Sequence, residues 1–310
     1  MQLKASIKTL LISLLLGINA CAPMSEPAEP MKNNQSTAPA DYLAWQSQRE
    51  TNLKSEKGWL TLIGLHWLEA GSFSIGSGES QQIRLNAGPE ALGTLTFDGE
   101  SGIALTPIAA GILIDGQPAV GAATLKTDKA GTATEVIIGS VSFFAIDRSG
   151  RIGLRVKDAN AASRLEFKGL DYFTYAPELS ITARFEPYAT PRMLDVGTII
   201  GTIEPTPNPG RAHFNLFGKD YQFELLEGSD ATHFFTIFGD QTNGGETYGM
   251  ARFLTGEIDA ASQTVKLDFN SAYNPPCAFS EFATCPMPPA SNRIAAKVMA
   301  GEKKYVGHID

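Results

Sequence analysis

Short apolar–polar alternations, broken by glycine-bearing turns, run along most of the chain, and a period of two is the signature of half-buried β-strands. In the first half they fall at Phe73–Ile75, Gln82–Leu85, Gly93–Phe97, Ile103–Pro107, Ile112–Ile114, Ala122–Leu125 and Glu135–Ile138. Asp98-Gly99 and Asp115-Gly116 mark hairpin turns between them. A further hairpin, Ser142–Arg148 and Arg151–Val156, turns at Ser149-Gly150, and residues 157–170 read as a polar loop or short helical turn. In the second half the strands are Leu179–Tyr188, Ile199–Ile203, Arg211–Leu216, Lys219–Glu227, Thr232–Gly239, Thr247–Leu254 and Thr264–Phe269, with a tight turn at Gly218. The expected fold is all-β and mainly antiparallel. A β-sandwich with one short helix in front occupies 41–140, and a barrel-like or sandwich sheet occupies 141–310.

Three stretches depart from the alternation. Tyr42, Trp45, Arg49 and Leu53 recur at helical spacing, which predicts a helix over 41–55 with Asp41 as N-cap and Gly58 beyond its end. The run Gly58–Glu69 is almost wholly apolar and predicts a strand buried on both faces. After Phe269, Pro275 and Pro276 fix φ and remove two backbone donors, so the chain from Pro275 to Pro289 is a stiff irregular loop, either functional or a plug over a sheet end.

The N-terminus changes where the protein is expected to work. Lys4 and Lys8 precede an apolar run, Leu10–Ile18, too short to span a bilayer, which ends in Asn19-Ala20-Cys21. This resembles a lipoprotein signal peptide (1–20), with lipid on the thiol and amine of Cys21 as the membrane contact; an ordinary cleaved signal is the alternative. Ala22 after the cysteine favours the outer membrane in a Gram-negative cell envelope. Residues 21–40 are rich in Pro, Ala, Ser and Asn and read as a tether. Removing 1–20 takes away two Lys and no acid, so the net charge of −8 becomes −10. So acidic a chain has no footprint for nucleic acid. In an oxidising compartment Cys277 and Cys285 form a disulfide by default, while a thiolate metal site lacks the usual ligand spacing.

Candidate chemistry collects at turns. Gln241–Gly249 brings Glu246 and Tyr248 to one face of a strand start; Asp268 and Asn270 share the same relation, and Tyr273 and Asn274 follow. A barrel mouth gathering all six would support acid–base work or bind a cation, and the same residue types also brace loop ends. His66, beside Trp67, stands out in its apolar run as a proton-transfer or ligand-binding group, or as a satisfied core histidine. No nucleophile elbow, His-Glu-x-x-His, phosphate loop or dinucleotide fingerprint occurs. No cofactor is indicated.

Two resemblances follow. Gly-Ser-Phe-Ser-Ile-Gly-Ser, then a strand and Ile-Asp-Gly-Gln, resembles a forkhead-associated sandwich; Ser77 stands where those domains carry Arg and no Ser-x-x-His follows, so phosphothreonine binding is not implied. The Gly58–Glu69 run, Phe-Lys-Gly-Leu at 167–170 with Lys168, Gly-Glu-Thr-Tyr-Gly at 245–249, and Asp-Phe-Asn-x-Ala-Tyr-Asn-Pro-Pro-Cys-Ala-Phe from Asp268 resemble the bacterial and archaeal domain-of-unknown-function family numbered 1684, over about 41–305. That resemblance implies no catalytic roles. The expectation is an envelope lipoprotein that binds a small molecule or peptide in a β-domain pocket. An acid–base or hydrolase-like enzyme using His66 with Glu246 or Asp268, and a purely structural lipoprotein, are the alternatives.

Overall fold

The computed structural model describes residues 38–307, so the signal segment, Cys21 and nearly all of the tether lie outside the described residues. Helix α1 (Ala40–Lys54) comes first. Its N-cap is Pro39, and Asp41 sits in the first turn, where its carboxylate accepts from the Tyr42 amide. Tyr42 and Leu53 are its buried residues. Gly58 follows the helix because a Cβ there would stand 2.3 Å from the Leu53 carbonyl oxygen.

The sandwich strands are β1 (Leu62–Trp67), β2 (Gly71–Gly76), β3 (Ile83–Arg84), β4 (Gly93–Phe97), β5 (Ile103–Pro107), β6 (Leu113–Ile114), β7 (Gln117–Pro118), β8 (Ala123–Thr124), β9 (Val136–Ile138), β10 (Val141–Arg148) and β11 (Arg151–Asp158). One sheet runs β3-β2-β4-β5-β8 and the other β1-β11-β10-β9-β6-β7. Ile75, Leu95 and Leu105 from the first meet Val136, Phe143 and Leu154 from the second in a shared core. The predicted turns carry the chemistry they need. Asp98 accepts from the amides of Glu100, Ser101 and Gly102, and Asp115-Gly116 and Ser149-Gly150 both place two residues at positive φ, as a two-residue hairpin turn requires.

The structure departs from expectation at two places. The hairpin β10–β11 was expected beyond the sandwich, yet β11 pairs with β1 and β10 with β9, so the sandwich runs to Asp158 instead of ending at 140. The apolar run Gly58–Glu69 is not one doubly buried strand. It forms a 3-10 turn, Trp59–Thr61, and then the edge strand β1, in which only Leu62 and Gly64 are fully buried.

After the short helix α2 (Ala162–Leu165), strands β12 (Ser180–Gly197), β13 (Ile203–Leu216), β14 (Lys219–Glu227), β15 (His233–Phe238), β16 (Arg252–Asp259) and β17 (Thr264–Asp268) close an antiparallel barrel in chain order. Alternation decides its inside: Phe185, Phe214, Phe223, Phe234, Phe238 and Leu267 point inward and are buried. Phe214 and Phe223 meet edge to face at 5.0 Å, and Phe269 packs against Phe238 at 5.4 Å. The lumen is therefore filled by side chains. Buried Arg252 packs with this core, pairs with Asp240 at 2.8 Å and donates to the carbonyls of Val298 and Ala300. Residues 199–202 are the turn between β12 and β13 rather than a strand. The strand expected from Thr247 begins only at Arg252, because Gln241–Gly249 folds back through Thr242, Asn243 and Thr247.

Candidate functional site

Within the second sandwich sheet, the centre of β11 is buried on both faces. On β11, Ile152, Leu154 and Val156 join the sandwich core, which turns Gly153 and Arg155 to the opposite side. That side meets the outer wall of the barrel. Val196, Leu226, Phe235 and Phe253, on four different barrel strands, belong to a cluster separate from the lumen core and line a cavity of about 410 Å³ at the seam. The loop closed by the Cys277–Cys285 disulfide, whose Cα atoms lie 6.1 Å apart, adds Ala283, Thr284 and Cys285 to the lining. Trp59 lines the cavity from the turn before β1.

The polar part of this lining is built from two arginines that are not equivalent. Arg148 is paired in full: Nη1 and Nη2 donate to the Asp128 carboxylate at 3.0 and 2.7 Å, Nη1 also donates to the Asp147 carbonyl, and Nε donates to Thr284 Oγ1 at 3.1 Å. Arg155 is only 5% exposed, and Nη2 donates to the same Thr284 oxygen at 3.1 Å. Its buried Nε has no partner, and it makes no ion pair among the described residues. Its guanidinium lies 5.3 Å from the Trp59 ring centre and 6.0 Å from that of Phe144. Burial, with the nearby Arg148 charge, pushes its pKa down to about 10, so it remains a cation at neutral pH. Glu204 lines the same cavity and accepts from Ser149 Oγ at 3.0 Å.

The residues singled out by sequence lie elsewhere, and the structure does not bring them together. His66 shares the Leu154 side of the sheet at the sandwich edge, and with Trp67 lines a separate cavity of about 310 Å³. Its Nε2 is buried without a partner, and burial lowers its pKa. Lys168 is exposed beside Lys304 and Asp171. Glu246 is held by Lys297 at 2.8 Å, and Tyr248 packs against Leu53 and Phe279. Asp268 lines a cleft with Tyr42, Trp45 and Tyr175. Thus neither the pairing of His66 with Glu246 nor that with Asp268 is assembled.

The remaining candidates brace. Asn270 bonds both the amide and the carbonyl of Ala176. Asn274 donates its amide to buried Glu302 and its side-chain NH2 to the Lys303 carbonyl, while Arg49 of α1 pairs with Glu302 at 2.7 Å and lies 4.8 Å from the Tyr273 ring centre. Burial pushes the Tyr273 phenol up to about 12. These residues tie the helix and the C-terminal segment to the barrel. Among the described residues no three His, Cys, Asp or Glu side chains group as metal ligands.

Sequence reasoning missed Arg155, Thr284 and the apolar wall. Arg151, Arg155 and Lys157 alternate with Ile152, Leu154 and Val156, which reads as the solvent face of an ordinary strand. Only the barrel packed outside it turns that face into an interior.

Fold and site together define an all-β protein in which a sandwich and a closed barrel share a ligand-sized cavity. Residues 165–303 match the family described as "Protein of unknown function (DUF1684)". That match takes in the motifs from Phe167 to the disulfide loop, while the Gly58–Glu69 run lies outside it. A solution structure of an uncharacterized protein of Haloarcula marismortui is similar at 27% identity, over 47% of this chain and 82% of that one, with a TM-score of 0.39. No curated protein matches the chain.

Proposed function

We propose that the protein binds a small molecule in the cavity at the sandwich–barrel seam. One observation carries the reading: the barrel lumen is packed with phenylalanines, whereas the outer-wall residues Val196, Leu226, Phe235 and Phe253 face a space of about 410 Å³ instead of closing on the sandwich. Apolar side chains that could collapse on one another leave a void only at a cost, and concave, mainly apolar sites of this size suit small ligands. The site works at the cell envelope, held by lipid on Cys21; Lys4, Lys8, the apolar run and Ala20-Cys21 support that placement. No helix among the described residues is long and apolar enough to cross a membrane.

Native mass spectrometry of the full chain, purified gently from its own host, tests the reading. A mass excess that disappears on denaturation, and that is missing in a cavity-filling Leu226→Trp variant with an unchanged far-UV spectrum, is the expected result. An equal excess in both proteins would place the ligand elsewhere, and a bare mass in both would count against binding.

A further inference from the structure

We infer that the ligand of the seam cavity is a monocarboxylate on an apolar body, anchored by Arg155. This rests on the binding reading above and adds the chemistry of the ligand. Arg155 is one half of an incomplete ion pair. A buried guanidinium is ordinarily matched by a carboxylate, because an uncompensated buried charge costs several kcal/mol. Arg148, one strand away, has that match in Asp128. Arg155 is more deeply buried and has none, and its Nε–H is left without an acceptor. A group that the fold does not satisfy, held beside an open cavity, calls for an acceptor from outside.

The charge count limits that acceptor. Arg148 is neutralised by Asp128, and Glu204 adds a negative charge to the lining, so Arg155 is the one unpaired cation among the described residues lining the cavity. One cation matches one negative charge. A phosphate monoester at its second ionisation would bring two charges, one of them uncompensated beside Glu204. A carboxylate offers oxygens to the planar guanidinium and brings a single charge, which Arg155 matches, so with Glu204 also in the lining it costs less than a doubly charged head. The rest of the lining sets the remainder of the molecule: Val196, Leu226, Phe235 and Phe253 offer no charged group to a second polar end.

Thr284 is the positioning residue. Its hydroxyl oxygen accepts from both arginines at 3.1 Å, which aligns Arg155 from the disulfide loop.

Isothermal titration of the full-length protein at pH 8 with octanoate, octanol and octyl phosphate separates the possibilities, since the three share one apolar chain and differ in head charge. The expected result is octanoate tighter than octanol by about tenfold or more, the worth of one charge-assisted hydrogen-bonded contact, with octyl phosphate weaker than octanoate. In Arg155→Met, the preference for octanoate over octanol should disappear. Equal binding of octanoate and octanol to the parent protein would overturn the carboxylate anchor and leave the cavity reading standing. Tighter octyl phosphate would overturn the single-charge argument. Binding of none of the three would overturn the inference and the binding reading together. The comparison of head groups on the parent protein decides the matter even if the variant does not fold.

Discussion

Replacing Arg155 with Met should make the protein more stable. Burial holds the guanidinium at about 10 against its ordinary 12.5, equivalent to about 3 kcal/mol of disfavoured charge at neutral pH. Two favourable contacts offset part of this. The hydrogen bond to Thr284 is worth about 1 kcal/mol, and the guanidinium near the Trp59 and Phe144 rings contributes about 0.5–1 kcal/mol. Met keeps an apolar stem and removes all three effects, so the net gain is about 1–2 kcal/mol, or a rise of roughly 2–4 °C in Tm for a protein of this size. The sign with pH follows from the lowered value. A base whose pKa is lower in the folded state carries its full penalty below that value and loses it as pH rises through about 10 toward 12.5. The gain should therefore be equal at pH 6 and pH 9. Urea denaturation of parent and variant at both pH values measures it. A loss of more than about 1 kcal/mol in the variant would refute the reasoning and make Arg155 a structural strut whose contact with Thr284 outweighs its desolvation.

Other consequences follow from the same structure. Replacing Cys277 and Cys285 with Ser should cost about 2–3 kcal/mol, the entropy of a short closed loop, and should weaken octanoate binding because Thr284 sits inside that loop; an unchanged Tm with and without reductant would contradict it. Arg252→Met leaves Asp240 as a buried, unpaired carboxylate and should cost about 3–5 kcal/mol by denaturant titration; a loss below about 1 kcal/mol would show that the ion pair does not stabilise the barrel. The lowered pKa of His66 means that its contribution is complete above its unfolded value of 6.5 and is lost as pH falls through the folded value. His66→Gln should accordingly lose less stability between pH 7 and pH 5 than the parent, and parallel pH profiles would contradict this.

Much of the fold was legible because one rule governs it. In the barrel, the inward set Ala183 and Phe185, Ala212 and Phe214, and Val265 and Leu267 is the set that plain alternation picks out, and the turns at Asp115-Gly116 and Gly218 have the residues their φ values demand. The limits of elements were harder. Nothing local says that Gln241–Gly249 bonds to itself and delays β16 to Arg252. The candidate site was least legible, for a physical reason. Asp268, Asn270, Tyr273 and Asn274 are polar residues at loop ends, a pattern shared by catalytic groups and braces, and their bonds to Ala176, Glu302 and Lys303 make them braces. Arg155 carries the opposite ambiguity: its strand looks solvated until a barrel far along the chain covers it. Arg49, part of the aromatic stripe of α1, is an ionic tie to Glu302 for the same non-local reason.

The most direct test of the account is a crystal structure of the full-length protein grown with 8-bromooctanoate, with data collected at the bromine edge. The account predicts an anomalous peak among Leu226, Phe235 and Phe253, with the carboxylate within hydrogen-bonding distance of Arg155 Nε. A peak in the His66 cavity, a chain lying in the reverse direction with its carboxylate in bulk water, or no peak with Arg155 unchanged would contradict it.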